Sequence, residues 1–200
     1  MLLSRKRQRS AHIIMLIFQY GSNTSDKRLN AHDRLDGAAV VVGLAQTVSK
    51  YQLAFTYRSR TNQCGVADLI PDQAAGRPIL GVLYDIPETR VFRQVSQRLK
   101  TLDQIEGEGT AYKRVEICIL LPDGQEVEVA TYVVLSPEPN HATSEKYVRY
   151  IMQGLHARGA PVEYLEYVAE RASESCPELT AQFHALVTRL TASESAPNSR

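Results

Sequence analysis

Two stretches of the chain carry side chains of a kind that could do chemistry. The first is Tyr20-Gly21-Ser22-Asn23, a glycine and two small polar residues directly after an apolar run, with a polar helical stretch from Ser25 to Leu35 behind it. At a strand end such residues let several backbone N–H groups converge on one cavity, where an anion or oxyanion can sit. A plain tight turn uses the same residues. The second stretch is Leu102-Asp103-Gln104-Ile105-Glu106-Gly107-Glu108-Gly109. Glu106 falls where a helical pattern gives way to a glycine-flanked turn, so its carboxylate can project into a pocket and exchange protons. Glu108 competes for that role, and a solvated surface carboxylate is the plain alternative for both. Two further constellations are thinner. Cys64 could be a nucleophile, but His32 and His141 are remote in sequence and no base is placed for it. His32 and Asp36 at helical spacing make two metal ligands without a third.

These residues need elements to position them. The chain has 200 residues, 44% hydrophobic and 22% charged, which is the composition of a globular protein able to bury a sizeable core. A net charge of +1 gives no broad field for a polyanion, so a nucleic-acid partner is not expected. Cys64, Cys118 and Cys176 are odd in number and widely spaced, which fits free thiols in a reducing, cytoplasmic compartment and no zinc site. The apolar run Ile13 to Phe18 follows basic residues but is too short for a membrane span or a signal core, so no membrane partner is expected. It reads as a first strand behind a solvated basic tail over residues 1–11.

Seven strands are predicted from short apolar or alternating runs between turn formers: His12–Tyr20, Ala38–Val48, Tyr51–Arg58, Gly65–Ile70, Ile79–Ile86, Tyr112–Leu121 and Glu126–Leu135. The last two flank Pro122-Asp123-Gly124-Gln125 and form a hairpin. Val91, Val95, Leu99 and Leu102 predict one amphipathic helix over Glu88–Ile105. Tyr147, Ile151 and Leu155 stripe another helix, which stops at Gly159-Ala160-Pro161, and Pro161 can open the next. Ser175 and Glu178 match a capping box before a last helix carrying Leu179, Phe183, Leu186 and Leu190. That helix, 174–190, is expected to pack on a domain spanning 12–173, with 191–200 a disordered tail. Strands first and helices last predict an α+β fold, a small mixed, mainly antiparallel β-barrel of about seven strands with flanking helices and a helical C-terminal segment.

In order and at this separation, the segments resemble the γ-glutamylcyclotransferase family. Phe18-Gln19-Tyr20-Gly21-Ser22-Asn23 is similar to its F-x-Y-G-S-N loop, and Leu102 to Gly107 to its L-D-x-x-E-G motif. Cys64-Gly65-Val66-Ala67-Asp68 and Gly81-Val82-Leu83-Tyr84 look like two of its strands, although Cys64 stands where the family more often has glycine. Thr24 likewise replaces a usual apolar residue. The tail from Tyr147-Val148-Arg149-Tyr150-Ile151-Met152-Gln153-Gly154 to Tyr164 looks like the family's Y-x-x-x-I-x-x-G to G-L-P-x-x-Y segment.

The resemblance implies a barrel enzyme of the cytosol without metal or organic cofactor, acting on a small-molecule γ-glutamyl substrate. The α-amine of the γ-glutamyl group would attack its own γ-carbonyl, releasing 5-oxoproline and an amine or amino acid. Carried over, Glu106 is the general acid/base, and Phe18, Gln19, Tyr20, Gly21, Ser22, Asn23 and Tyr112 belong to the substrate site. The competing expectation is a binding module on the same fold, holding a small acid or a protein without turnover. The sequence leaves oligomeric state open, a homodimer included.

Overall fold

A computed structural model describes residues 13–92 and 99–192. The chain opens with β1 (Ile14–Gln19), a 3-10 turn over Ser22–Thr24 and the short helix α1 (Asp26–Leu29), then runs through β2 (Val40–Thr47), β3 (Tyr51–Ser59), β4 (Cys64–Pro71) and β5 (Leu80–Pro87). Two short helices, α2 (Glu88–Val91) and α3 (Leu102–Glu106), precede β6 (Tyr112–Leu120) and β7 (Glu126–Val134). Three helices follow, α4 (Glu145–His156), α5 (Val162–Ser175) and α6 (Thr180–Ala192).

The architecture is the expected α+β barrel, with one redistribution. Five strands close the barrel in the order β1-β5-β2-β6-β7, all antiparallel except the β7–β1 closure at Ile17 and Ala130. The other two, β3 and β4, form a separate antiparallel ribbon rather than barrel staves. Alternation along a strand shows that one face is apolar but not which neighbour it faces. The ribbon is tied down through buried Asp68, whose carboxylate accepts from Thr56 Oγ1 at 2.7 Å and from the Val134 N–H of β7 at 2.9 Å. The β6–β7 hairpin forms as predicted, with Gly124 at φ +86° in its turn.

Other local expectations need correction. Glu88–Ile105 is not one helix. Phe92 is extended at φ −73°, ψ 139°, so α2 ends at Val91, and α3 starts only at Leu102, where the Gln104 side chain accepts from the Thr101 N–H at 2.9 Å. Val91 and Leu102 are both fully buried while Leu99 is 38% exposed, so the spacing joined two separate anchors into one stripe. Val95 lies outside the described residues. The polar stretch after Ser25 is helical only through Leu29, with Ser25 capping it. Ser175 caps nothing ahead of it: it ends α5 and donates back to the Ala172 carbonyl, and Pro177 opens a 3-10 turn that leads into α6. α6 continues through Thr191 and Ala192, where a tail was expected. The basic segment and residues 193–200 lie outside the described residues.

Helix α4 carries the packing that matters most for the site. Tyr147, Val148, Ile151, Met152 and Leu155 bury one face, as its stripe predicted. Gly154 lets the helix lie directly on the 3-10 turn: a side chain there would collide with the Thr24 backbone. Thr24, buried, donates its hydroxyl to the Ile151 carbonyl at 3.1 Å, which is how a polar residue is accommodated at this position. No helix among the described residues is long and apolar enough to cross a membrane.

Candidate active site

Helix α3 aims Glu106 inward because both of its ends are held. Buried Asp103 accepts from Arg114 of β6 at 2.5 Å and from the Tyr132 hydroxyl of β7 at 2.7 Å, fixing the helix to the barrel wall. At its C-terminus Gly107 takes φ +67°, a left-handed cap that glycine adopts without steric cost, so the chain turns away directly behind Glu106. Across the site, β1 delivers Gln19 and Tyr20, and the 3-10 turn delivers Ser22 and Asn23.

Asn23 joins the two motifs. Its Nδ2 donates to Glu106 Oε1 at 2.6 Å, and its Oδ1 accepts from Arg34 at 2.6 Å. Guanidinium, amide and carboxylate thus form one relay, which fixes the orientation of the Asn23 amide. Gln19, 6% exposed, turns its amide toward the same carboxylate and favours its ionised form. Burial pushes the Glu106 pKa above the ordinary carboxylate value; Arg34, the Asn23 hydrogen bond, Arg28 and Gln19 offset part of that rise. Glu106 is half-buried and lines both the inner chamber and the space outside it.

Tyrosines form the remaining wall. Tyr20 donates to the Tyr132 carbonyl at 2.5 Å, and Tyr112 donates to the Ala67 carbonyl at 3.0 Å. The Tyr147 oxygen accepts from the Ala67 N–H at 3.0 Å. Burial raises the Tyr20 and Tyr112 phenols well above their ordinary pKa and Tyr147 to about 12, so all three are neutral at any working pH. The chamber they enclose with Gln19, Ser22, Asn23 and Glu106 is small, about 30 Å³, and opens into a vestibule of about 270 Å³.

Of the residues singled out in sequence, Gln19 to Asn23, Glu106 and Tyr112 converge on this chamber. Phe18 does not: it is fully buried in the barrel core against Gly81, because side chains alternate along β1 and its neighbour Gln19 takes the chamber side. Glu108 lies in the turn beyond Gly107 and lines neither chamber nor vestibule. Gly21 acts by space rather than by backbone angle. Its φ is −92°, and an added Cβ would lie 3.2 Å from the Tyr147 hydroxyl. Cys64 is buried, accepting from Ser144 at 3.5 Å, and lines neither cavity. His32 and Asp36 pair at 3.0 Å on the surface. Sequence reasoning missed Arg28, Arg34, Tyr132 and the Tyr147 hydroxyl; only Tyr147 carried a signal, as the first residue of the Y-x-x-x-I-x-x-G segment.

A five-stranded mixed barrel with a half-buried carboxylate facing a strand-end turn defines a class of small barrel proteins with one polar chamber at the barrel mouth. The chain belongs to the family described as Gamma-glutamyl cyclotransferase, AIG2-like, which matches residues 17–154. Among solved structures, the fold is similar to a protein described as "Gamma-glutamyl cyclotransferase" at TM-score 0.66 and 22% identity, over 78% of this chain and 86% of that one. It is similar also to an uncharacterized protein from Homo sapiens at TM-score 0.65 and 23% identity, over 78% and 86% of the two chains. YkqA from Bacillus subtilis matches at TM-score 0.61 and 24% identity, over 81% of this chain and 54% of its own. No curated protein matches the chain in sequence.

Proposed function

We propose that the protein is a γ-glutamyl cyclotransferase in which Glu106 is the general acid/base. The observation that carries this reading is the half-buried Glu106 carboxylate hydrogen-bonded to Asn23 of the Tyr20–Asn23 turn. Nucleophile and electrophile already share one molecule, so holding the glutamyl chain curled supplies the effective concentration that a bimolecular attack lacks. The neutral α-amine attacks the γ-carbonyl carbon, forming the ring C–N bond. Glu106 takes the proton that nitrogen sheds. The tetrahedral oxyanion collapses, the bond to the departing nitrogen breaks, and Glu106 returns the proton to it, leaving 5-oxoproline and a free amine.

Several features support these roles. A raised pKa makes Glu106 a stronger base than an exposed carboxylate, while its link through Asn23 to Arg34 keeps the ionised form accessible. The Asn23 N–H lies before the first internal bond of the 3-10 turn, from Thr24 N–H to the Gly21 carbonyl at 3.0 Å, which leaves it available to an oxyanion, while the Ser22 N–H is taken by the Tyr147 oxygen. Neutral tyrosines keep the wall free of competing charge.

The test is incubation with a panel of γ-glutamyl compounds, following 5-oxoproline by mass spectrometry. Release that needs Glu106 and not Glu108 is expected. No release from any compound would replace the enzyme with a binding module on the same fold.

A further inference from the structure

The space outside the chamber is lined by cations, of which the proposed chemistry uses only Arg34, through Asn23. The vestibule opens into an outer basin of about 530 Å³, and Arg28 and Arg34 line both. Lys27 and Lys146 border the basin and Arg60 the vestibule. Against these five cationic side chains stand two carboxylates, Asp33 and Glu106, in a chain whose total charge is only +1. Among the described residues neither Arg28 nor Arg34 forms an ion pair with a carboxylate. Arg28 donates to neutral groups, Ser22 Oγ at 3.1 Å and Asn62 Oδ1 at 2.9 Å, and stacks on Tyr150; Arg34 donates to Asn23.

This arrangement is costly in the empty protein. Burial disfavours the Arg34 charge and neighbouring Arg28 repels it, with Glu106 the principal offset. The Arg34 Nε is buried with no hydrogen-bond partner among the described residues. An orphaned guanidinium N–H in a passage with an excess of cations points to a ligand that supplies acceptors.

The direction of the passage says which half of the ligand that is. Behind Glu106 the chamber has room for little more than a water or two. The glutamyl chain therefore lies in the vestibule with its departing nitrogen at Glu106, and whatever that nitrogen carries extends into the basin bordered by Arg28, Arg34, Lys27 and Lys146. A γ-glutamyl group whose α-amine is neutral for attack brings one carboxylate, which offsets one of the three cations in excess and leaves two. On the reading of this site as a cyclotransferase, we propose that the amine it releases is dianionic, bearing either two carboxylates or a phosphate, and that Arg28 and Arg34 select it. Lys27 and Lys146, on the rim, draw it in.

The experiment compares leaving amines of graded charge: γ-glutamyl-aspartate and γ-glutamyl-O-phosphoethanolamine (dianionic), γ-glutamyl-alanine (one carboxylate), γ-glutamyl-methylamine (neutral) and γ-glutamyl-putrescine (cationic). The expected kcat/KM for a dianionic amine exceeds that for the neutral one by about tenfold, the effect of two partly screened ion pairs. The aspartate and phosphoethanolamine arms decide between carboxylate and phosphate. Lys27→Glu with Lys146→Glu, both exposed, should lower the dianionic-to-neutral ratio by about threefold, and added salt should do the same. Neutral or cationic amines released as fast as dianionic ones would overturn the inference and leave the cyclotransferase standing. Calorimetric binding of the same compounds to the Glu106→Gln protein reads the preference without turnover. Tighter binding of the dianionic compounds is expected there, and equal or absent binding overturns the inference even if no compound is turned over.

Discussion

Glu106→Gln separates proton transfer from everything else Glu106 does. The substitution keeps size and an acceptor oxygen, so the 2.6 Å bond from Asn23 Nδ2 can be remade to the Gln amide oxygen and the chamber keeps its shape. Only the titrating function goes. Losing a general acid/base lowers turnover by about a hundredfold or more, equivalent to about 2.7 kcal/mol of transition-state stabilisation. Stability should move the opposite way, and its pH dependence is diagnostic. Burial raises the Glu106 pKa, so the folded protein holds the proton at a pH where the unfolded chain, titrating near about 4.3, has released it. Below the unfolded value both states are protonated and Glu106 costs nothing. As pH rises through that value toward the folded pKa, wild type loses stability, and above the folded pKa the loss is constant. A glutamine at this position does not titrate. The Tm of the variant minus that of wild type, followed by calorimetry from about pH 4 to 8, should therefore increase from its value at the acid end and then level off. Turnover within a few-fold of wild type would refute the catalytic role, and a Tm difference that falls with rising pH would show that Arg34 and Asn23 outweigh burial.

Three further outcomes test the frame around that residue. Gly21→Val should fold but lose 5-oxoproline release, because its Cβ presses on the Tyr147 hydroxyl at 3.2 Å; undiminished turnover in the folded variant would remove the turn from the mechanism. Asp68→Ala strands the buried Val134 N–H and the Thr56 hydroxyl at about 1–3 kcal/mol each, so urea denaturation should show a loss of several kcal/mol. A loss under about 1 kcal/mol would mean that other partners fasten the β3–β4 ribbon to the barrel. Thiol titration of the unfolded protein without reductant should count three free cysteines, and a count of one would reveal a disulfide.

Local sequence pattern determined a good part of this protein. The strands, the β6–β7 hairpin, the helical end, and the two short segments that meet at the site are all legible, because each depends on the periodicity or turn chemistry of neighbouring residues. Where two distant anchors shared a helical spacing, as Val91 and Leu102 do, that logic built a continuous helix that the chain does not form. Tertiary structure alone decided the rest. It put five strands into the barrel and two outside it, and chose Gln19 over Phe18 for the chamber. It also brought Arg34 to Asn23 and Asn23 to Glu106, the latter pair 83 residues apart. Periodicity records which face of an element is apolar, but the partner that face meets depends on strand register and on close approaches such as α4 over the Thr24 backbone. The electrostatics of the site follow from that convergence, since a carboxylate's pKa is set by the groups packed around it and not by its neighbours in sequence.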